Sequence, residues 1–167
     1  MNSRTGNLGA FLDTIAWSEI GPQLLAVSDN GYNVCVGSTP AHPILFQDYS
    51  RHPGHEEKHY PDGPGISRNE AMDSDAAGRY QFMGRYWPHY RKQLRLPDFG
   101  HESQDTWCVQ LIRECRALDD VIAGRLFLAV SKCRSRWASF PGAGYKQREN
   151  QFSDLETAYL AAGGTLD

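Results

Sequence analysis

The chain has 167 residues, 40% of them apolar and 22% charged, which is enough to bury a core without disulfides or metal and too ordinary for disorder. Its net charge of -3 excludes the strongly basic footprint of a nucleic-acid binder, so no nucleic-acid partner is expected. No stretch approaches the roughly 18 apolar residues of a membrane span, and no secretory signal is visible, so neither stable membrane association nor export is expected.

The first periodic segment runs from Leu8 to Glu19, with Leu8, Phe11, Leu12, Ile15 and Ala16 at helical spacing, and Gly21 and Pro22 end it. Residues 31–49 read as extended chain. Tyr32, Val34 and Val36 alternate with Asn33, Cys35 and Gly37, and Ile44 to Phe46 form a second apolar run, which predicts a hairpin or small sheet. Residues 50–73 carry Pro53, Gly54, Pro61, Gly63, Pro64 and Gly65 with few aliphatic side chains, and predict a long loop. Helices follow over Gly78–Gln93 (with a bend at Pro88), Glu102–Arg116, Leu118–Ala123, Leu126–Trp137 and from Ser153 to Gly163. Ser153 and Glu156 have the spacing of a capping box. The predicted fold is α+β, mostly helical, in one domain over residues 1–167 with a small β-containing lobe at about 28–75.

Cys35, Cys108, Cys115 and Cys133 form no CxxC pair and have no zinc-finger spacing, so they read as buried, reduced thiols. His52, His55 and His59 have spacing that metal ligands use, but a Gly- and Pro-rich loop gives them no rigid frame, and solvated histidines are the simpler reading. Arg85, Arg91, Lys92 and Arg95, with Tyr86, Trp87 and Tyr90 among them, read as a solvated helix face.

Three places carry chemistry. Leu8, Leu12, Ile15 and Glu19 lie on one helical stripe that is apolar until its last member. Apolar surroundings raise a carboxyl pKa, and a raised pKa suits a general acid near neutral pH. A glutamate whose head reaches water or pairs with an arginine has the same periodicity, so the stripe alone is not specific. Asp73 to Gln81 places Tyr80 and Gln81 beside small residues, which suits recognition of hydroxyl and N-acetyl groups but equally suits a helix start capped by Ser74 or Asp75. Trp137 to Tyr145 has glycines that permit an unusual backbone path and a tyrosine able to stack on a sugar, or simply a tight interhelical turn.

Taken together, the segments Ala10–Glu19, Gly31–Gly37, Asp48–Ser50, Ala77–Gln81, Tyr90–Leu94, Trp137–Tyr145 and Ala161–Thr165 resemble the lambda-phage endolysin family, in the same order and over nearly the whole chain. The resemblance implies a lysozyme-like fold and a lytic transglycosylase that cuts the β-1,4 bond between N-acetylmuramic acid and N-acetylglucosamine. It implies Glu19 as the catalytic residue and Tyr32, Tyr49, Gln81 and Tyr145 as residues lining the sugar cleft. It implies peptidoglycan glycan strands as partner, no cofactor and no metal, and a monomer held in the host cytoplasm until a holin releases it to the periplasmic wall. Asn33, Asp75 and the loop over residues 50–73 depart from the family pattern, which bears on contacts with the strand. The other readings are a hydrolytic muramidase on the same fold, with Asp29, Asp48, Asp73 or Asp75 placing a water, and a non-catalytic wall-binding or phage structural module.

Overall fold

A computed structural model describes residues 5–54, 74–145 and 148–167. The chain divides into two compact units, one of residues 1–19 with 105–167 and one of residues 20–104. Among the described residues no helix is long and apolar enough to cross a membrane.

The first unit is built on helix α1, Gly6–Ile20. Sequence spacing predicts one apolar stripe, but Ala10, Phe11, Leu12, Ile15 and Ala16 are all buried and Thr14 is buried with them. A helix covered on so many sides is a core helix rather than a surface one. Thr14 satisfies its hydroxyl by donating to the Ala10 carbonyl at 2.8 Å. The same unit holds α5 (Leu118–Ala123), α6 (Leu126–Cys133), α7 (Phe152–Ala161) and most of α4 (His101–Glu114). Phe140 packs edge-on to Phe11 at 6.3 Å and lies 5.7 Å from Trp137. Asp120 is buried between α5 and α6, where it accepts from Arg125 Nε at 2.9 Å and from Lys132. These two donors hold its carboxyl below the ordinary range.

Two boundaries differ from expectation. α6 stops at Cys133 rather than Trp137, and Trp137 instead begins the turn to Phe140. α7 begins at Phe152 with Gln151 as its N-cap, so Ser153 makes no capping box; its carbonyl accepts from Thr157 at 2.8 Å, inside the helix. All four cysteines are free thiols, with Cys35, Cys108 and Cys133 buried and Cys115 half-buried.

The second unit begins with α2, Pro22–Ala26, which sequence reading treats as a helix stop. Proline has no N–H to lose at a first helical position, so Pro22 starts a helix as readily as it ends one. The hairpin or small sheet expected over residues 31–49, in a lobe of about 28–75, is reduced, among the described residues, to isolated antiparallel bridges: Val34 with Leu45, Cys35 with Ala77, and Ala77 with Phe82. The expected alternation fails for a visible reason. Tyr32, Asn33, Val34 and Cys35 are all buried, so this stretch has no solvent face, and a turn closes Val34 N–H onto Gly31 O at 3.2 Å.

Residues after Gly78 do not form one long helix. A short 3-10 turn, Gly84–Tyr86, leads into α3, Trp87–Leu94, and Pro88 lies in the first turn of α3 instead of bending it. Neither Ser74 nor Asp75 caps a helix there; Asp75 accepts from the Gly84 N–H at 3.1 Å. Phe99 is fully buried, 4.8 Å from His52, 5.3 Å from Trp87, 5.9 Å from Phe46 and 6.3 Å from Phe82, and this aromatic cluster is the core of the unit.

Candidate functional site

Glu19 lies in the last turn of α1. By surface area it is half-buried, but atoms crowd its carboxyl, and desolvation is the largest influence on its pKa, which is raised above the ordinary 4.5. Two opposing contacts come from one residue: Ser139 donates its hydroxyl to Glu19 Oε1 at 2.5 Å and its backbone N–H to the same oxygen at 3.4 Å. Both favour the carboxylate, yet burial wins.

Ser139 is itself held. Its hydroxyl lies 2.7 Å from that of Ser18, and Asn150 Nδ2 donates to Ser18 Oγ at 2.9 Å. An amide nitrogen only donates, so the chain has one direction: Asn150 to Ser18, Ser18 to Ser139, Ser139 to Glu19. The Asn150 N–H also fixes the Ser139 carbonyl at 2.8 Å. With Oε1 occupied by both Ser139 donors, the neutral carboxyl carries its proton on Oε2. Ser18 and Ser139 fall inside the motifs Ala10–Glu19 and Trp137–Tyr145, but neither is an expected site residue, and Asn150 lies in no motif. The only signal available is the Gly- and Pro-containing segment from Trp137 to Tyr145, which places Ser139 on a turn.

Tyr145 lies in the same unit, on that segment. It is 52% exposed, and its hydroxyl donates to the Ser135 carbonyl at 2.8 Å, so the ring is anchored while offering surface. Positive φ at Gly142 and Gly144, 74° and 76°, turns both N–H groups onto Glu149, each at 2.8 Å. Those two amides lower the Glu149 pKa, with Gly144 the larger influence.

Tyr32, Tyr49 and Gln81 lie in the second unit. Tyr32 is 4% exposed and stacks on His101 at 4.0 Å with a 12° tilt, with the Arg79 guanidinium 5.2 Å from its ring. Tyr49 is half-buried; its hydroxyl donates to Asp29 Oδ2 at 2.6 Å, and His101 Nε2 reaches the same oxygen at 2.7 Å. The Tyr49 bond is the largest influence holding the Asp29 carboxyl below its ordinary range. Sequence reading does not single out His101, which brings Tyr32, Tyr49 and Asp29 into one cluster. Gln81 has a left-handed backbone, φ 51°, and donates Nε2 to the carbonyls of Gly78 at 2.9 Å and Val34 at 3.3 Å. That leaves its side-chain oxygen as an acceptor.

The other carboxylates considered as water-placing groups are engaged: Asp29 as above, Asp48 with the Ser50 N–H at 2.8 Å, and Asp75 with Gly84. Asp73 lies outside the described residues, as do His55, His59 and most of the loop predicted over 50–73. His52 is buried, with Nδ1 accepting from the Gly54 N–H at 3.0 Å and Nε2 meeting the Phe82 carbonyl at 2.7 Å. Among the described residues no group of three or more His, Cys, Asp or Glu side chains has the arrangement to hold a metal ion.

The family model described as Endolysin matches residues 9–166. The chain is 46% identical over 161 residues to the endolysin of Escherichia phage P2, covering 95% of this chain and 93% of that protein. It is 41% identical over 160 residues to the endolysin of Escherichia phage lambda, covering 94% and 91%. Among solved structures it is similar to bacteriophage lambda lysozyme complexed with a chitohexasaccharide, at TM-score 0.79 and 38% identity, over 100% of this chain and 98% of that one. A second structure, lysozyme from bacteriophage lambda, matches at TM-score 0.72 and 35% identity with the same coverage. The fold is therefore lambda-lysozyme-like.

Proposed function

The chain belongs to the endolysin family, and from that premise we propose that it cleaves the β-1,4 bond between N-acetylmuramic acid and N-acetylglucosamine in bacterial peptidoglycan by lytic transglycosylation. The observation that carries this reading is the state of Glu19, a carboxyl whose pKa is raised by burial and whose orientation is set by Ser139. The neutral acid protonates the glycosidic oxygen as the bond to C1 breaks. The carboxylate so formed takes the proton from the C6 hydroxyl of the same muramic acid, whose oxygen closes on C1. The product is a 1,6-anhydro end, and Glu19 is again neutral. The 2-acetamido group of the sugar stabilises positive charge at C1, so one carboxylate suffices where ordinary glycosidases use two. Among the described residues, three of the four carboxylates that could place a water, Asp29, Asp48 and Asp75, are engaged with protein donors.

Four further residues belong to this proposal. Tyr49 and Tyr145 offer ring surface to the sugar, and Gln81 offers its amide oxygen. Tyr32, being buried, acts by holding His101 and through it Tyr49. Binding of a β-1,4-linked N-acetyl sugar is supported by the similar protein whose structure holds a chitohexasaccharide. In the cell the enzyme waits in the host cytoplasm, as a monomer, for a holin to give it access to the wall.

Purified sacculi digested with the enzyme test the chemistry. Mass spectrometry of the released muropeptides is expected to find muramic acid ends lighter by one water than hydrolytic ends and resistant to borohydride. Predominantly reducible ends would instead assign a hydrolytic muramidase. Ser139→Ala tests the seating of the acid. Removing a hydrogen bond that favours the carboxylate raises the Glu19 pKa further, so the alkaline limb of the pH–rate profile moves to higher pH. Loss of orientation lowers turnover by about tenfold to a hundredfold. Ser139→Thr, which keeps the hydroxyl, is expected to restore the position of the limb; a limb that never moves removes Ser139 from this role.

A further inference from the structure

Cys115 follows the last turn of α4, and Cys133 is the last residue of α6. Two contacts bring these helix ends together. The Arg136 guanidinium, one turn beyond Cys133, donates to Glu114 Oε2 at 3.1 Å. Lys132 Nζ donates to the Arg116 carbonyl at 3.2 Å. The neighbours of Cys115 on both sides are thus tied to residues around Cys133. The two thiols meet between those ties, with Cys133 donating its S–H to Cys115. We propose that Cys115 is a site of oxidation by hydroperoxides, and that Cys133 resolves the product into an intramolecular disulfide. The inference stands on this pair of thiols and is independent of the reaction proposed for Glu19.

A buried cysteine is ordinarily a small, inert hydrophobe. Cys35 fits that description: it is buried, and burial pushes its thiol up to about 12. Cys108 is buried as well. Cys115 departs from it. It is half-buried where the other three cysteines are buried, so it is the one a small oxidant reaches most readily. The hydrogen bond from Cys133 holds its thiol below the ordinary 9, and Arg136 acts in the same direction, against burial and the Glu114 charge. The thiolate is the form that attacks a peroxide. Cys133 has the complementary character. The same hydrogen bond and its burial push its thiol up, so it keeps its proton and is not the first to react. A reactive cysteine standing alone is carried on to irreversible acids, whereas one with a second thiol in contact is captured as a disulfide.

The steps balance without a metal or cofactor. The Cys115 thiolate attacks the terminal peroxide oxygen, an S–O bond forms and the O–O bond breaks. The departing oxygen takes the proton that Cys115 gave up, and Cys115 becomes a sulfenic acid. Cys133 then loses its proton as its sulfur attacks the Cys115 sulfur. The S–O bond breaks, and hydroxide leaves with that proton as water. The thiol pair has lost two electrons, and one hydroperoxide has become water and an alcohol, or two waters where the oxidant is hydrogen peroxide. The new bond joins the ends of α4 and α6 and encloses α5 in a short loop. Constraining that loop in the unfolded chain raises the melting temperature of the oxidised form.

The probe is hydrogen peroxide at a small molar excess over the intact reduced protein. Thiol titration after unfolding is expected to show two of the four thiols lost, and peptide mapping to find Cys115 linked to Cys133. Cys115 should be consumed at least about tenfold faster than Cys35. Dithiothreitol should restore both thiols, and the oxidised protein should melt about 5 °C higher than the reduced one. Cys115→Ser should keep all its remaining thiols at the same dose. Cys133→Ala should leave Cys115 as a sulfenic acid that dimedone traps, and then as a sulfinic acid that dithiothreitol does not reverse. If Cys133→Ala does not fold, the wild-type peptide map and Cys115→Ser still decide. Four surviving thiols in the wild type, a link between Cys108 and Cys133, or cross-links only between separate chains would each overturn the proposal.

Discussion

Glu19→Gln is expected to leave a folded protein whose lytic turnover is lower by about a thousandfold. The amide keeps the size of the side chain and an oxygen that accepts from Ser139, but it has no proton to give to the glycosidic oxygen. The Asn150–Ser18–Ser139 chain has no other acid at its end, so nothing in that hydrogen-bonded chain takes over the role. Clearing of permeabilised cells measures the loss, and circular dichroism controls for folding. A folded variant with a tenth of wild-type turnover would show that Glu19 is not the acid.

The same substitution has a stability consequence of determined sign. Burial raises the Glu19 pKa in the folded protein above its ordinary 4.5. The folded state then holds this proton more tightly than the unfolded chain does. Stability from that difference is fully present below the ordinary pKa and is lost as pH rises through the raised one. Glutamine does not ionise, so the variant escapes the loss. Its melting temperature should match the wild type at pH 4 and exceed it at pH 8. A buried acid kept for catalysis at some expense of stability is a familiar trade.

How much of this was legible in the residues depends on what each signal encodes. α5 was readable to its ends, Leu118–Ala123, because Gly124 supplies a left-handed stop that few other residues do. Glu19 was placed by spacing, but spacing could not say whether its head reached water. That depended on Ser139, 120 residues away, and on atoms no local pattern reports. Pro22 and Pro88 misled for one reason: a proline marks a helix boundary without saying which side the helix is on. The stretch from Tyr32 to Cys35 alternates like a strand, yet both faces are buried, and alternation carries no meaning where there is no water on either side. His101 was hidden because its role comes from stacking on Tyr32 and meeting Asp29, 72 residues before it.

The largest expected loss of stability comes from a single methyl group, in Gly78→Ala. Gly78 has φ +81°, where an L side chain costs roughly 1 kcal/mol. Its added Cβ would also press on the Gln104 side-chain oxygen, with the Gln104 Cδ at 2.9 Å and Phe99 Cζ at 3.0 Å. A glutamine end would normally swing aside. Gln104 is fully buried, accepts from the Arg79 N–H at 2.8 Å and donates to the carbonyls of Tyr32 at 2.9 Å and Phe99 at 2.8 Å. Moving it gives up these three buried hydrogen bonds, each worth about 1 kcal/mol. The total, about 4 kcal/mol, is a large part of the 5–15 kcal/mol typical of a whole domain. Gly144→Ala is the control, because φ there is +76° but nothing lies within 4 Å of the new Cβ, so only the backbone cost of about 1 kcal/mol applies. Gln104→Ala should itself cost about 3 kcal/mol, and the double variant should lose clearly less than the two losses added, because the methyl then has room. Urea denaturation of the four proteins measures the cycle. Strict additivity would mean that Gln104 is not what Gly78 makes way for, and that the left-handed turn alone keeps a glycine at this position.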